Sequence, residues 1–258
     1  MTERTFTSQS TGPVVLGLDL PMGNVTVQVL SSITTASVVL RTDDASGPAA
    51  DAVNRARSNQ DGQALAVEVP EIPGNVMMQS AGGNRVVQSM GNVYGSVTGV
   101  TIINGRVVTG GGNGGMVTVS PIEARVMLPA GSSLAVVSKS SDARVYGQVE
   151  RMEFRSVSGD LAIDGARELD ASTTSGDVAV DGLAGRLMVR SVSGDIRLYG
   201  YAGTDADLTT TSGDIDVTAV DAASGALRAH SVSGDVRVIG SGALRVNARS
   251  VSGRVRTR

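Results

Sequence analysis

A short phrase close to Ser-Val-Ser-Gly-Asp recurs seven times in the second half of this chain, with 17 to 21 residues between copies. Its glycines are Gly159, Gly176, Gly194, Gly213, Gly234 and Gly253, and Ser141 takes the glycine place in the first copy. A repeat of this period marks a stack of small units, none of which can bury its own apolar face, so each must lie against its neighbours. Such a stack offers a long regular surface and no point on which unlike residues converge.

Counted from each glycine as zero, positions −7 and −5 are apolar, as in Leu134 and Val136, Met152 and Phe154, Leu187 and Val189. Positions +2 and +4 are apolar too, as in Leu161 and Ile163, Ile196 and Leu198, Ile215 and Val217, and they weaken only in the end copies. Alternation of period two over four to eight residues means a strand with one buried face. Each repeat is therefore two short strands joined at Ser-Gly-Asp. Glycine suits such a join because it tolerates positive φ, and aspartate can bond nearby backbone as an Asx turn. A second break follows at position +6, at Gly147, Gly165, Gly182, Gly200 and Gly240. Successive coils must pair in parallel to satisfy their backbone groups. The predicted fold is all-β, a parallel β-solenoid of about seven to eight short coils.

Two further rows follow from the register. Position −3 is always Ser or Thr, from Ser138 to Ser250, and position −1 is always Ser, from Ser140 to Ser252. Both share the inward alternation, which predicts two rows of bonded hydroxyls, because a buried hydroxyl without a partner is costly. Nucleophilic serine needs an activating base beside it, and none stands near these. Position +1 carries the candidate turn residues Asp142, Asp160, Asp177, Asp195, Asp214 and Asp235, a ladder broken at its end by Arg254. Carboxylates about 5 Å apart repel by roughly 1 kcal/mol in water. Turn bonds, outward arginines such as Arg197, or a bound calcium ion would offset that. The chain lacks the Gly-Gly-x-Gly-x-Asp nonapeptide of calcium-binding β-rolls, so no metal and no cofactor are assigned.

The N-terminal half is organised differently. Leu16, Leu18, Leu20, Val25 and Val27 fit a cryptic first coil headed by Gly23, with Leu20 replacing the hydroxyl. Pro48 to Ser58 reads as a short helix with Ser46 as its cap, placed to cover a sheet edge. Ala64 to Val69 reads as a strand. Three segments result: 1–73 with strands, cryptic coil and helix; 74–117, an insertion rich in Gly and Asn; and 118–258, the repeats. Within the insertion Asn104 and Gly105 stand between β-branched residues, the strongest short-range hairpin signal, and 110–115 reads as a flexible linker. An uncharged β-branched hairpin is also a candidate assembly element.

Composition narrows the function. The 258 residues include no Cys, one Lys and one His, and the formal net charge is −3. No disulfide framework or thiolate metal site can form, and no global field recruits nucleic acid. His230 falls on the outer face without a partner, so it makes a poor general base. Repeated carboxylates in identical settings do not give the divergent pKa values that acid–base chemistry requires. No run approaches the ~18 apolar residues of a membrane span. The opening residues Met1 to Phe6 show no secretory signal, which predicts a cytoplasmic location.

The serial Ser-Gly-Asp turns, with the lead-in Ala124-Arg125-Val126-Met127-Leu128-Pro129-Ala130-Gly131, resemble the bacterial "putative adhesin" family of β-strand-repeat domains of unknown function. The resemblance covers residues 121–258 and implies a β-solenoid with no catalytic residue to carry over. Function is expected to be non-enzymatic: a structural, assembly or interaction module that forms a homo-oligomer or takes a protein partner. The alternative is a surface adhesin or ligand-binding solenoid, taking carbohydrate or depending on calcium. Val251, Arg254, Val255 and Arg256 in the last coil join Asn104 and Gly105 as candidate assembly residues, because a terminal coil presents unpaired backbone groups.

Overall fold

Period-two patterning produces strands almost throughout. The computed structural model describes residues 1–72, 76–82, 85–90, 100–103, 106–109, 117–240 and 242–258. It opens with β1 (Thr2–Thr7), β2 (Val15–Asp19), β3 (Met22–Leu30) and β4 (Ser37–Thr42), followed by the helix α1 (Pro48–Arg55), β5 (Arg57–Asp61) and β6 (Ala64–Glu68). Next come β7 (Val76–Gly82), β8 (Arg85–Met90), β9 (Val100–Ile103), β10 (Arg106–Thr109) and β11 (Val117–Val119). After β12 (Glu123–Pro129) and β13 (Ser133–Val137) come two long strands, β14 (Ser140–Ser156) and β15 (Leu161–Thr173). The repeats continue as β16 (Val178–Val180), β17 (Arg186–Ser191), β18 (Ile196–Tyr201), β19 (Asp205–Thr210), β20 (Ile215–Ala219) and β21 (Gly225–Ser231). β22 (Val236–Ile239), β23 (Leu244–Ser250) and β24 (Val255–Thr257) complete the chain.

Two parallel ladders run along the stack. The strands that lead into each Ser-Gly-Asp corner pair in the order β6, β2, β13, the second half of β14, the second half of β15, β17, β19, β21, β23. The strands that leave each corner pair in the order β12, β3, the first half of β14, the first half of β15, β16, β18, β20, β22, β24. Equivalent repeat positions lie opposite one another, as in Leu187 with Ala206 and Ile196 with Ile215. The fold is a β-solenoid. The seven corners enclose about six complete turns, slightly fewer than a count of copies suggests.

Between the ladders lies one aliphatic core that extends from Phe6 through Leu16, Val126, Phe154 and Leu208 to Val238. Each fully buried Leu, Ile or Val contributes about 1.5–3 kcal/mol, and the leucines of the cryptic first coil, Leu16, Leu18 and Leu20, are all buried. The N-terminal end of the stack is closed. There β4 runs antiparallel to both β1 and β12, β5 runs antiparallel to β6, and α1 packs against β1 and β4 through buried Ala49, Ala52 and Val53.

Several local expectations need correction. The helix ends at Arg55, and its N-cap is Gly47 at φ 97° without a side-chain bond, so Ser46 does not cap it. The corner chain reverses its facing at positions −2 and −1, which leaves consecutive side chains outside. The −1 serines Ser158, Ser175, Ser193, Ser212 and Ser233 are therefore exposed, while the −3 hydroxyls from Ser138 to Ser231 are buried. Positive φ belongs to the second break, at Gly147, Gly200 and Gly240, and not to the repeat glycines. Among the described residues of 74–117, β9 and β10 pair antiparallel. The expected turn, Asn104 and Gly105, and the linker reading of 110–115 fall outside the described residues.

Candidate functional site

The repeated corner is a regular polar feature of the described residues, and its spacing explains its residues. Each repeat glycine stacks directly on the preceding corner. A Cβ on Gly194 would stand 2.0 Å from the carbonyl oxygen of Gly176, and on Gly213 it would stand 2.1 Å from that of Gly194. Glycine is required here by close backbone approach and not by backbone dihedral. The −3 hydroxyl fills the space beneath: Thr210, Ser231 and Ser250 donate to the carbonyls of Gly194, Gly213 and Gly234 at 3.2, 3.0 and 2.7 Å. In the earlier coils the hydroxyls of Ser156, Thr173 and Ser191 are buried without a partner.

The aspartate row forms a chain of its own. Asp142 accepts the backbone N–H of Asp160 at 3.0 Å, and Asp160 accepts that of Asp177 at 2.8 Å. The pattern runs on through Asp195, Asp214 and Asp235, and Arg254 ends it by donating its N–H to Asp235 at 2.8 Å. A carboxylate thus answers the amide one coil further on, where a charged acceptor makes the stronger bond. Arg197 adds a bridge, with nitrogens 3.3 Å from Asp177 and 2.6 Å from Asp195. Partial burial works against the Arg197 charge, but Asp195 and Asp177 outweigh it and push its pKa up. Among the described residues, no group of three or more His, Cys, Asp or Glu is placed to hold a metal ion. His230 lies in register with Thr209 and Arg249 on the outer face.

The candidate assembly residues sit at the far end of the stack. β23 pairs with β21 and β24 with β22, and Val251 between them is 81% exposed. Val255 is 43% exposed, and Arg256 lies beside Arg237 in the neighbouring strand. Leu244, Val246 and Ala248 pack on the core but are only partly covered. Asp43 and Asp44, acidic residues near the opposite end, are engaged internally: Asp43 pairs with Arg41 at 3.1 Å, and Asp44 accepts the Ser120 hydroxyl at 2.8 Å.

The stacked corners recur along a segment that matches a known family, Toastrack DUF4097, over residues 34–257. The chain belongs to the Toastrack DUF4097 family. Solved structures share the fold along its whole length. A protein described as a "putative adhesin" from Bacteroides fragilis is 12% identical, with 100% of this chain and 97% of that chain covered, at a TM-score of 0.57. Another so described, from Parabacteroides distasonis, is also 12% identical, with 100% and 97% covered, at a TM-score of 0.51. No curated protein matches the chain. The solved neighbours stand against the cytoplasmic expectation: each is described as a "putative adhesin", which points to a surface or extracellular location. The residues at the start of this chain do not decide where it acts.

Proposed function

We propose that this Toastrack chain is a non-enzymatic structural and interaction module, acting at a cell surface, that associates with a second copy of itself through the last coil. The observation that carries this reading is the contrast between the two ends of the stack. One end is closed by antiparallel strands and a helix. At the other, Val251 is exposed beside the edge strands β23 and β24. A strand edge with apolar surface beside it is a template for another strand. The repeated identical settings of the aspartates, and the internal use of their oxygens, support interaction over catalysis. The description of both solved neighbours as "putative adhesin" points the same way.

Size-exclusion chromatography with light scattering tests this on the full chain at about tens of micromolar, where weak interfaces become populated. The intact chain should run as an oligomer, and Val251→Asp should shift it to monomer. Screening of arginine contacts by high salt should weaken the oligomer. An oligomer that survives Val251→Asp moves the contact to β9 and β10. A chain that stays monomeric throughout contradicts the reading.

A further inference from the structure

The insertion of β12 beside β3 creates a groove that no repeat position encodes. On the outer face, Arg125, Thr26 and Arg144 lie side by side on β12, β3 and β14. Two residues earlier, Glu123, Asn24 and Asp142 form a second row in the same register. The middle strand carries the short side chains Asn24 and Thr26 between longer neighbours, so the surface sinks along β3. The hollow has a volume of about 420 Å³, and Tyr146, 43% exposed, forms part of its wall. That volume lies within the range of small-ligand sites, about 300–1,000 Å³.

The chemistry of the lining selects a ligand class. Three carboxylates, Glu123, Asp142 and Asp160, line the hollow with two guanidinium groups, Arg125 and Arg144, and Asp160 is engaged by the Asp177 amide. Glu123 and Arg125 pair at 3.1 Å, and Asp142 gives one oxygen to the Asp160 amide. Its other oxygen accepts no hydrogen bond among the described residues, and Arg144 has no hydrogen-bond or ion-pair partner among them. An anion meets three carboxylates and a cation meets the guanidinium of Arg144, so neither is matched along the lining. A hydroxyl group both donates and accepts, and satisfies an arginine and an aspartate together. Tyr146 supplies an apolar ring face of the kind that covers the C–H face of a pyranose. We propose that the groove over β3 binds a neutral carbohydrate, with Arg144, Asp142 and Tyr146 as the principal contacts. The site lies near the closed end of the stack and does not depend on association through the last coil.

The test is a printed array of oligosaccharides, with neutral glucose, mannose and N-acetylglucosamine series beside sialylated and sulfated ones, probed with labelled full-length chain. Calorimetric titration with the best neutral glycan follows. Retention of a neutral glycan is expected, and Arg144→Ala and Tyr146→Ala should each weaken it by about tenfold, a loss of about 1.4 kcal/mol. Arg190→Ala, on the other ladder, should leave it unchanged. Both groove side chains are exposed, so their loss should not alter the melting temperature. If Arg144→Ala does lower it, Arg144→Gln replaces it. Absence of neutral-glycan binding, binding confined to anionic glycans, or binding indifferent to both groove variants overturns the proposal. Light scattering reads self-association separately, so the two proposals fail independently.

Discussion

At the scale of single residues, the repeat glycine illustrates how spacing, and not dihedral preference, fixes a sequence. Gly194 has its would-be Cβ position 2.0 Å from a backbone oxygen that cannot move without shifting the whole column. Gly182, at the second break, has only the Asp164 carbonyl at 3.4 Å, and its φ is not positive. Gly194→Ala should therefore cost at least the roughly 1–3 kcal/mol of core overpacking. Gly182→Ala should be neutral or stabilise by about 0.4–1 kcal/mol through the unfolded chain. Chemical denaturation of the two variants reads the difference directly. Tyr201 gives a second residue-scale case. It is fully buried, its hydroxyl has no partner, and burial, with Asp205 nearby, pushes its pKa up to about 12 from 10.0. The folded chain holds this proton more tightly than the unfolded one, so stability falls as pH rises from 10 towards 12. Tyr201→Phe removes an unsatisfied group and should raise stability at neutral pH by up to about 1 kcal/mol. It should also flatten the alkaline loss, as measured by melts across that pH range.

At the scale of elements, the corner column ties coil to coil through side chains as well as strands. Asp195 accepts the amide of Asp214 and holds Arg197, which also reaches Asp177. Asp195→Ala should cost about 1 kcal/mol, and a chelator should leave the melting temperature alone. A calcium-dependent shift that the chelator reverses would count against a purely structural row. The two ladders were legible because period-two alternation is a local signal, repeated often enough to fix its own register. The groove was not. Thr26 and Arg125 become neighbours only when β12 crosses back over an intervening helix and further strands to lie beside β3. Nothing local marks that pairing. The outward turn of the −1 serines was hidden for a related reason, because alternation predicts facing only where the strand continues.

At the scale of the whole molecule, the stack is polar in the sense of a rod with unlike ends. Its N-terminal end carries antiparallel strands that cannot extend the parallel ladders, together with the helix over β1 and β4. Its last coil continues both ladders to the edge, with Leu244, Val246 and Ala248 partly covered and Val251 outside. The central claim is that this edge is an association surface. Amide hydrogen exchange on the full chain, followed as a function of protein concentration, tests it most directly, because a partner strand protects the amides it pairs with. The account predicts that protection across β23 and β24 rises with concentration while β1, β4 and β5 do not change. Exchange in β23 and β24 that is independent of concentration, or protection gained at the closed end instead, would contradict it.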